Sequence, residues 1–150
     1  MVFPFPPMEI NAEPRMSIKL LVADPHEAFR AGLKNFVAGS EVEVVAELTN
    51  GQHVLDLVAE HNPQVLLLSV RLPHEDGLKV LERMREARPE IAVVVTACCD
   101  NPAHLARAHA AGAAGFLLKD FSRQRLLETL RAVAAGQRIW TREDMRRVTG

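Results

Sequence analysis

Val65-Leu66-Leu67-Leu68-Ser69-Val70-Arg71-Leu72-Pro73-His74-Glu75-Asp76-Gly77 carries the strongest structural signal in the chain. Its first five residues form a short apolar run, the pattern of a strand buried on both faces of a parallel sheet. A turn-rich loop follows. Beyond it Val80, Leu81, Met84 and Ala87 recur at helical spacing until Pro89 enforces a stop.

The same alternation extends in both directions. Strand-like runs are Ile18–Ala23, Val42–Leu48, Val65–Ser69, Ile91–Thr96 and Gly115–Leu118. Between the first two, Phe29, Leu33, Phe36 and Val37 mark a helix with Pro25 suited to its first turn. Asn50 can cap a second helix bearing Val54, Leu57 and Val58. A fourth, alanine-rich helix spans Pro102 to Ala111 around Leu105. A fifth runs from a Ser122 cap through Leu126, Leu127, Leu130 and Val133 to a stop at Gly136. Five strands alternating with five helices predict an α/β, doubly wound parallel sheet, since parallel strands need helical crossovers. The pattern alone leaves the strand order open.

Residues 1–16, with Pro4, Pro6, Pro7 and Pro14 and no periodicity, read as an extended arm. Met16 is an alternative start to Met1. Residues 137–150 read as a linker with a short helix capped by Thr141-Arg142-Glu143-Asp144 and holding Met145 and Val148.

The bulk numbers narrow the function. A chain of 150 residues fits one domain able to bury roughly 70% of its unfolded surface. Its net charge of −1 argues against nucleic-acid binding by this domain alone. No apolar run approaches the roughly 18 residues of a membrane span, and the N-terminus lacks the charge and apolar pattern of a signal peptide; a cytoplasmic location is expected. Cys98 and Cys99 are neighbours, read as small, partly buried thiols of a reducing compartment. His26, His53, His61, His74, His104 and His109 are scattered, with His104 and His109 off one another's helical face, so no structural metal is expected.

With Ala23-Asp24 after the first strand, Leu72-Pro73, Asp76-Gly77, Thr96 and Lys119 in order, residues 17–136 resemble the receiver domain of bacterial two-component response regulators. The stretch Ala111-Gly112-Ala113-Ala114-Gly115-Phe116-Leu117-Leu118-Lys119-Asp120 is most similar to the subgroup usually followed by a LuxR/NarL-type helix-turn-helix. The resemblance implies a flavodoxin-like sheet of order 2-1-3-4-5. It also implies a crevice where two acidic residues and an acceptor aspartate hold Mg²⁺, while a threonine and a lysine bind phosphoryl oxygens. Asp24, Thr96 and Lys119 match those positions, and Phe116 falls on the family's aromatic switch position. Ala23 replaces the first acidic residue, and Ser69 replaces the acceptor.

Losing two of three carboxylates has chemical consequences. Mg²⁺ favours one or two carboxylates in a near-octahedral shell; Asp24 alone, with a carbonyl near Arg71, would bind it weakly at most. A serine hydroxyl without an adjacent base is a poor nucleophile. Glu75 and Asp76 stand up to roughly 20 Å of extended chain beyond Ser69, and nothing aims Asp100 at the crevice. Lys119, deprived of a carboxylate at Ser69, is expected to lean towards Asp24 in a network with Ser69 and Thr96.

The leading reading is a degenerate receiver: no enzyme, no cofactor, a phosphorylation-independent interaction module in transcription regulation. Its partners would be a protein or a second copy, through the first and fifth helices or the surface of fourth helix, fifth strand and fifth helix. DNA would be reached only through an absent or appended output domain. An alternative keeps a phosphorelay role, docking a histidine kinase or binding Mg²⁺ and phosphate weakly. A flavin or nucleotide enzyme domain is the remote third, since Ala23-Asp24-Pro25-His26-Glu27-Ala28 is acidic where a phosphate cradle is needed. The fifth helix and tail carry Arg123, Arg125, Arg131, Arg138, Arg142, Arg146 and Arg147 against Glu128, Glu143 and Asp144, a bias read mainly as a solvated face.

Overall fold

A computed structural model describes residues 17–149; the expected arm and both candidate starts lie outside the described residues. Five strands, β1 (Ile18–Ala23), β2 (Val42–Leu48), β3 (Val65–Ser69), β4 (Ala92–Ala97) and β5 (Gly115–Leu118), form one parallel sheet. Its order is β2-β1-β3-β4-β5, as the resemblance implied. A two-residue antiparallel ribbon, Arg71–Leu72 with Glu75–Asp76, closes the loop after β3. Among the described residues the helices are α1 (Glu27–Val37), α2 (Val54–His61), α3 (Gly77–Ala87), α4 (Pro102–Ala110), α5 (Arg123–Ala134) and the tail helix α6 (Arg142–Thr149).

The central strand explains the layering. Every residue of β3 is buried, and its side chains alternate between two cores. Leu66 and Leu68 pack with Val54, Leu81, Met84 and Leu105 on the α2–α3–α4 side. Val65 and Leu67 pack with Leu33, Val37, Leu126 and Leu130 on the α1–α5 side. Burying each such leucine contributes about 2 kcal/mol.

Local chemistry sets most boundaries. Asp76 caps α3 by accepting the Leu78 N–H at 2.9 Å, and Arg88 has left helical geometry ahead of Pro89. Ser122 caps α5 by accepting the Arg125 N–H at 3.0 Å. Thr141 and Asp144 exchange side chain-to-backbone bonds of 2.9 and 3.0 Å at the start of α6.

Several expectations shift. Pro25 stands before the helix: the Asp24 carboxylate accepts the His26 N–H at 2.8 Å, folding a turn over Pro25, and α1 starts at Glu27. Asn50 likewise spends its carbonyl on the Gln52 N–H at 2.9 Å, so α2 begins at Val54 without that cap. β4 sits one residue later than the apolar run suggested. Ala87 shares the α3 row of Met84 but is exposed, its methyl in neither core. Cys98 and Cys99 are both exposed, because the chain turns outward as β4 ends.

Candidate functional site: the crevice at the strand ends

Parallel strands in register bring their last residues together. Ser69 lies beside Thr96, Ala23 beside Leu68, and Thr96 beside Leu117. Asp24 is fixed by its N–H to the Leu48 carbonyl, and Lys119 by its N–H to Ala97, each at 2.9 Å. The chain thereby gathers Ala23, Asp24, Ser69, Thr96 and Lys119 at one edge, the place where open α/β sheets put their sites.

Asp24, only 1% exposed, is the electrostatic centre. Its Oδ2 stands 2.6 Å from Lys119 Nζ, at the expected side of the crevice. That oxygen has no well-aligned hydrogen bond, so the attraction to the ammonium is chiefly Coulombic. Its Oδ1 accepts the His26 N–H and lies 3.2 Å from His26 Nδ1. Arg30 Nη1 donates to the Asp24 carbonyl at 2.7 Å and holds Glu47 through Nε at 3.0 Å.

Phe29 completes this half of the site. Its ring centroid lies 4.7 Å from Lys119 Nζ, and its edge meets Phe121 at 5.9 Å. A cation under an aromatic face, paired to a buried carboxylate, is well compensated for leaving water. The apolar spacing had marked Phe29 as core; its partnership with Lys119 depends on a contact between α1 and the end of β5.

Ser69 and Thr96 stay out of that pair, contrary to the expected network. The Ser69 hydroxyl donates to the Arg71 carbonyl at 3.1 Å and accepts the Arg71 N–H at 3.3 Å, closing on its own loop. A side chain that short is satisfied locally before it reaches Lys119. Thr96 Oγ1 is buried without a hydrogen-bond partner, an uncommon state for a buried hydroxyl. Phe116, 9% exposed, is packed with Leu105 in the α4-side core.

The acidic residues outside the crevice are engaged elsewhere. Glu75 pairs with Arg83, and Asp76 with Arg107 at 3.0 Å. Burial raises the Asp76 pKa, but the Leu78 N–H and Arg107 outweigh it and hold the carboxyl below its ordinary value. Asp100 pairs with Arg147 of α6.

The donor set does not fit Mg²⁺. Asp24 is the lone crevice carboxylate, its oxygens held by Lys119 and the His26 N–H, and the Arg71 carbonyl accepts from Ser69. A hard dication would have to displace an ammonium to gain a single anionic ligand.

The tail arginines are largely spent internally. Arg131 grips Glu41 with two bonds of 2.7 and 3.0 Å, Arg123 donates to the Phe36 carbonyl at 2.7 Å, and Arg138 to Ala113 at 3.0 Å. Pairing, more than solvation, accounts for much of that basic bias. Among the described residues no helix is long and apolar enough to cross a membrane.

Comparison with known proteins agrees with this geometry. Residues 20–131 match the family described as response regulator receiver domain. The chain is 31% identical over 120 residues to the transcriptional regulatory protein DegU of Brevibacillus brevis, covering 79% of this chain and 51% of that one. It is 34% identical over 122 residues to the response regulator GacA of Pseudomonas aeruginosa, covering 81% and 57%. It thus spans about half the length of the curated relatives it matches. Among solved structures, the signal receiver domain of the NarL response regulator of Mycobacterium tuberculosis superposes with TM-score 0.75 at 35% identity, covering 81% of this chain and 98% of that one. With its sheet order and its sequence in agreement, the chain belongs to the response regulator receiver family, a family of signalling modules.

Proposed function

We propose that residues 17–136 act as a receiver that signals without aspartyl phosphorylation, as an interaction module in transcription regulation. One observation carries this reading. The Lys119–Asp24 pair closes under Phe29, while Ser69 at the acceptor position is hydrogen-bonded only to the backbone of Arg71. The ammonium that would meet a phosphoryl group is neutralised by the one carboxylate that would hold the metal. Activity would then follow from a partner's binding or from abundance. Regulation of transcription is supported by the names of relatives, and DNA contact would come from an output domain.

A second reading, a receiver that still docks a histidine kinase or takes up Mg²⁺ and phosphate weakly, is favoured by Thr96. Its free buried hydroxyl beside Ser69 is a donor without an acceptor. An amide NMR titration with Mg²⁺, then with Mg²⁺ and beryllofluoride, separates the two. The expected result is unchanged resonances for Asp24, Ser69, Thr96 and Lys119. Saturable shifts spreading from those residues into α4 and Phe116 would overturn phosphorylation independence.

A further inference from the structure

The tail beyond α5 doubles back over the surface made by α4 and the start of β5, and it is held there by two unequal grips. The first is tight. The Ile139 N–H donates to the Ala114 carbonyl at 2.7 Å, and Trp140 Nε1 and Arg138 Nη2 both reach the Ala113 carbonyl. Ile139 lies directly over Gly115, where a Cβ would stand 2.8 Å from its Cγ1. The Trp140 ring meets His109 of α4 edge-on at 4.9 Å.

The second grip is α6 itself. α6 has eight residues, too few to be helical unaided, and Met145 and Val148 are its apolar side chains, both half-buried. A cavity of about 250 Å³, floored by Leu105, Phe116 and Leu118, remains between it and the domain. Val148 packs against the α4-side core, and the Arg147–Asp100 ion pair ties α6 to the loop before α4.

Asp100 belongs to the loop that leaves the crevice. That loop starts at Ala97, whose carbonyl holds the Lys119 N–H, next to the unpartnered Thr96. It ends at Asn101, which caps α4 by accepting the Ala103 N–H at 2.9 Å. Cys98 and Cys99 between them are exposed, and the Arg147–Asp100 pair ties the loop to α6.

We propose that α6 is a releasable cap on the α4–β5 surface, latched by Arg147–Asp100 to the loop leaving the crevice, so that α6 docking and crevice arrangement are coupled. The cap's own segment is the occupant of that surface. Its release uncovers the Leu105–Phe116 floor while Ile139 and Trp140 keep the tail tethered. The coupling does not depend on whether the crevice is ever phosphorylated.

Charge reversal in the full chain tests it, because both latch side chains are partly solvent-exposed and the fold survives their replacement. In Arg147→Glu and in Asp100→Lys, hydrogen exchange of the α6 and α4 amides should rise about fivefold over wild type. The amide resonances of Asp24, Thr96 and Lys119 should shift as well. The double variant Asp100→Lys/Arg147→Glu should restore both readouts, and Arg131→Ala, far from the latch, should move neither. Unchanged α6 exchange in the single variants overturns the latch. Faster α6 exchange with unmoved crevice resonances overturns the coupling, as does failure of the double variant to restore them.

Discussion

On one side of Ser69 lies the crevice, where the side chains of Asp24, Ser69, Thr96 and Lys119 leave the ends of an undisturbed sheet. On the other side lies the loop from Val70 to Gly77, where Asp76 caps α3 and Gly77 lies against the loop's own backbone. Crevice side chains project from strand ends and touch one another by side chain, so their chemistry can change while the backbone stays put. In the loop, backbone meets backbone. The Gly77 N–H donates to the Val70 carbonyl at 2.8 Å, and a Cβ on Gly77 would stand 2.0 Å from the Ser69 carbonyl oxygen. A crevice side chain can therefore be exchanged with the backbone in place, whereas Gly77 cannot.

Gly77→Ala strikes the frame hardest. The atoms in the way belong to the chain itself, so the loop must open or α3 must shift. We expect a loss of about 4 kcal/mol, read from the urea midpoint. Gly32 in α1 is the control, since a Cβ there meets nothing within 4 Å. Gly32→Ala should stabilise by about 0.8 kcal/mol through helix propensity alone. Equal effects at the two glycines would remove the distinction between frame and crevice.

Within the crevice one element is not free to vary. Lys119→Met would leave Asp24 buried with only the backbone N–H and ring Nδ1 of His26 beside it, and should cost about 3 kcal/mol. Ser69→Ala loses only hydrogen bonds to its own loop and should cost at most about 1 kcal/mol. If the two losses prove equal by chemical denaturation, the Lys119–Asp24 pair is not what holds the crevice.

These contrasts bear on what could be read from residues alone. The sheet was legible because β3 is apolar throughout and its neighbours alternate with clear helical patterns; the strand order came from family likeness. Lys119 turning towards Asp24 was legible from charge balance. The isolation of Ser69 and Thr96 was not, because it depends on which backbone group a short hydroxyl meets first. Phe29 over Lys119, Arg30 on Glu47 and Arg147 on Asp100 were also hidden. The first and last join elements that are not neighbours in sequence, and Arg30–Glu47 joins a helix to the strand that follows it. Local periodicity says nothing about which side chains face each other.

Placing carboxylates at positions 23 and 69 asks whether the crevice differs from a metal-binding one in side chains alone. In Ala23→Asp/Ser69→Asp, three acids would crowd one lysine, and without metal the variant should lose about 2 kcal/mol through like-charge repulsion. Mg²⁺ should then recover the loss by binding only the folded state, seen as a rise in Tm with metal concentration. Wild-type Tm should not respond. A wild-type response would show that the crevice already accepts the ion.

Acid gives the mildest test, and it acts on the frame. Glu47, bonded by Lys34 and then by Arg30 against the opposing pull of burial, is held below its ordinary 4.5, and Asp76 below its ordinary 3.8. A carboxyl lowered in the folded state binds fewer protons there than in the unfolded chain, so its stabilisation is complete above the ordinary value. It is lost as pH falls from there through the lowered one. Both groups are partly solvated, which limits each contribution to about 1 kcal/mol or less. Tm should hold above pH 5 and decline below about pH 4.5. Asp76→Asn should remove the lower part of that decline, because the Arg107 ion pair is then gone at every pH. An unchanged lower part in that variant would mean that the α3 cap, and with it the loop beside Ser69, does not depend on the Asp76 charge.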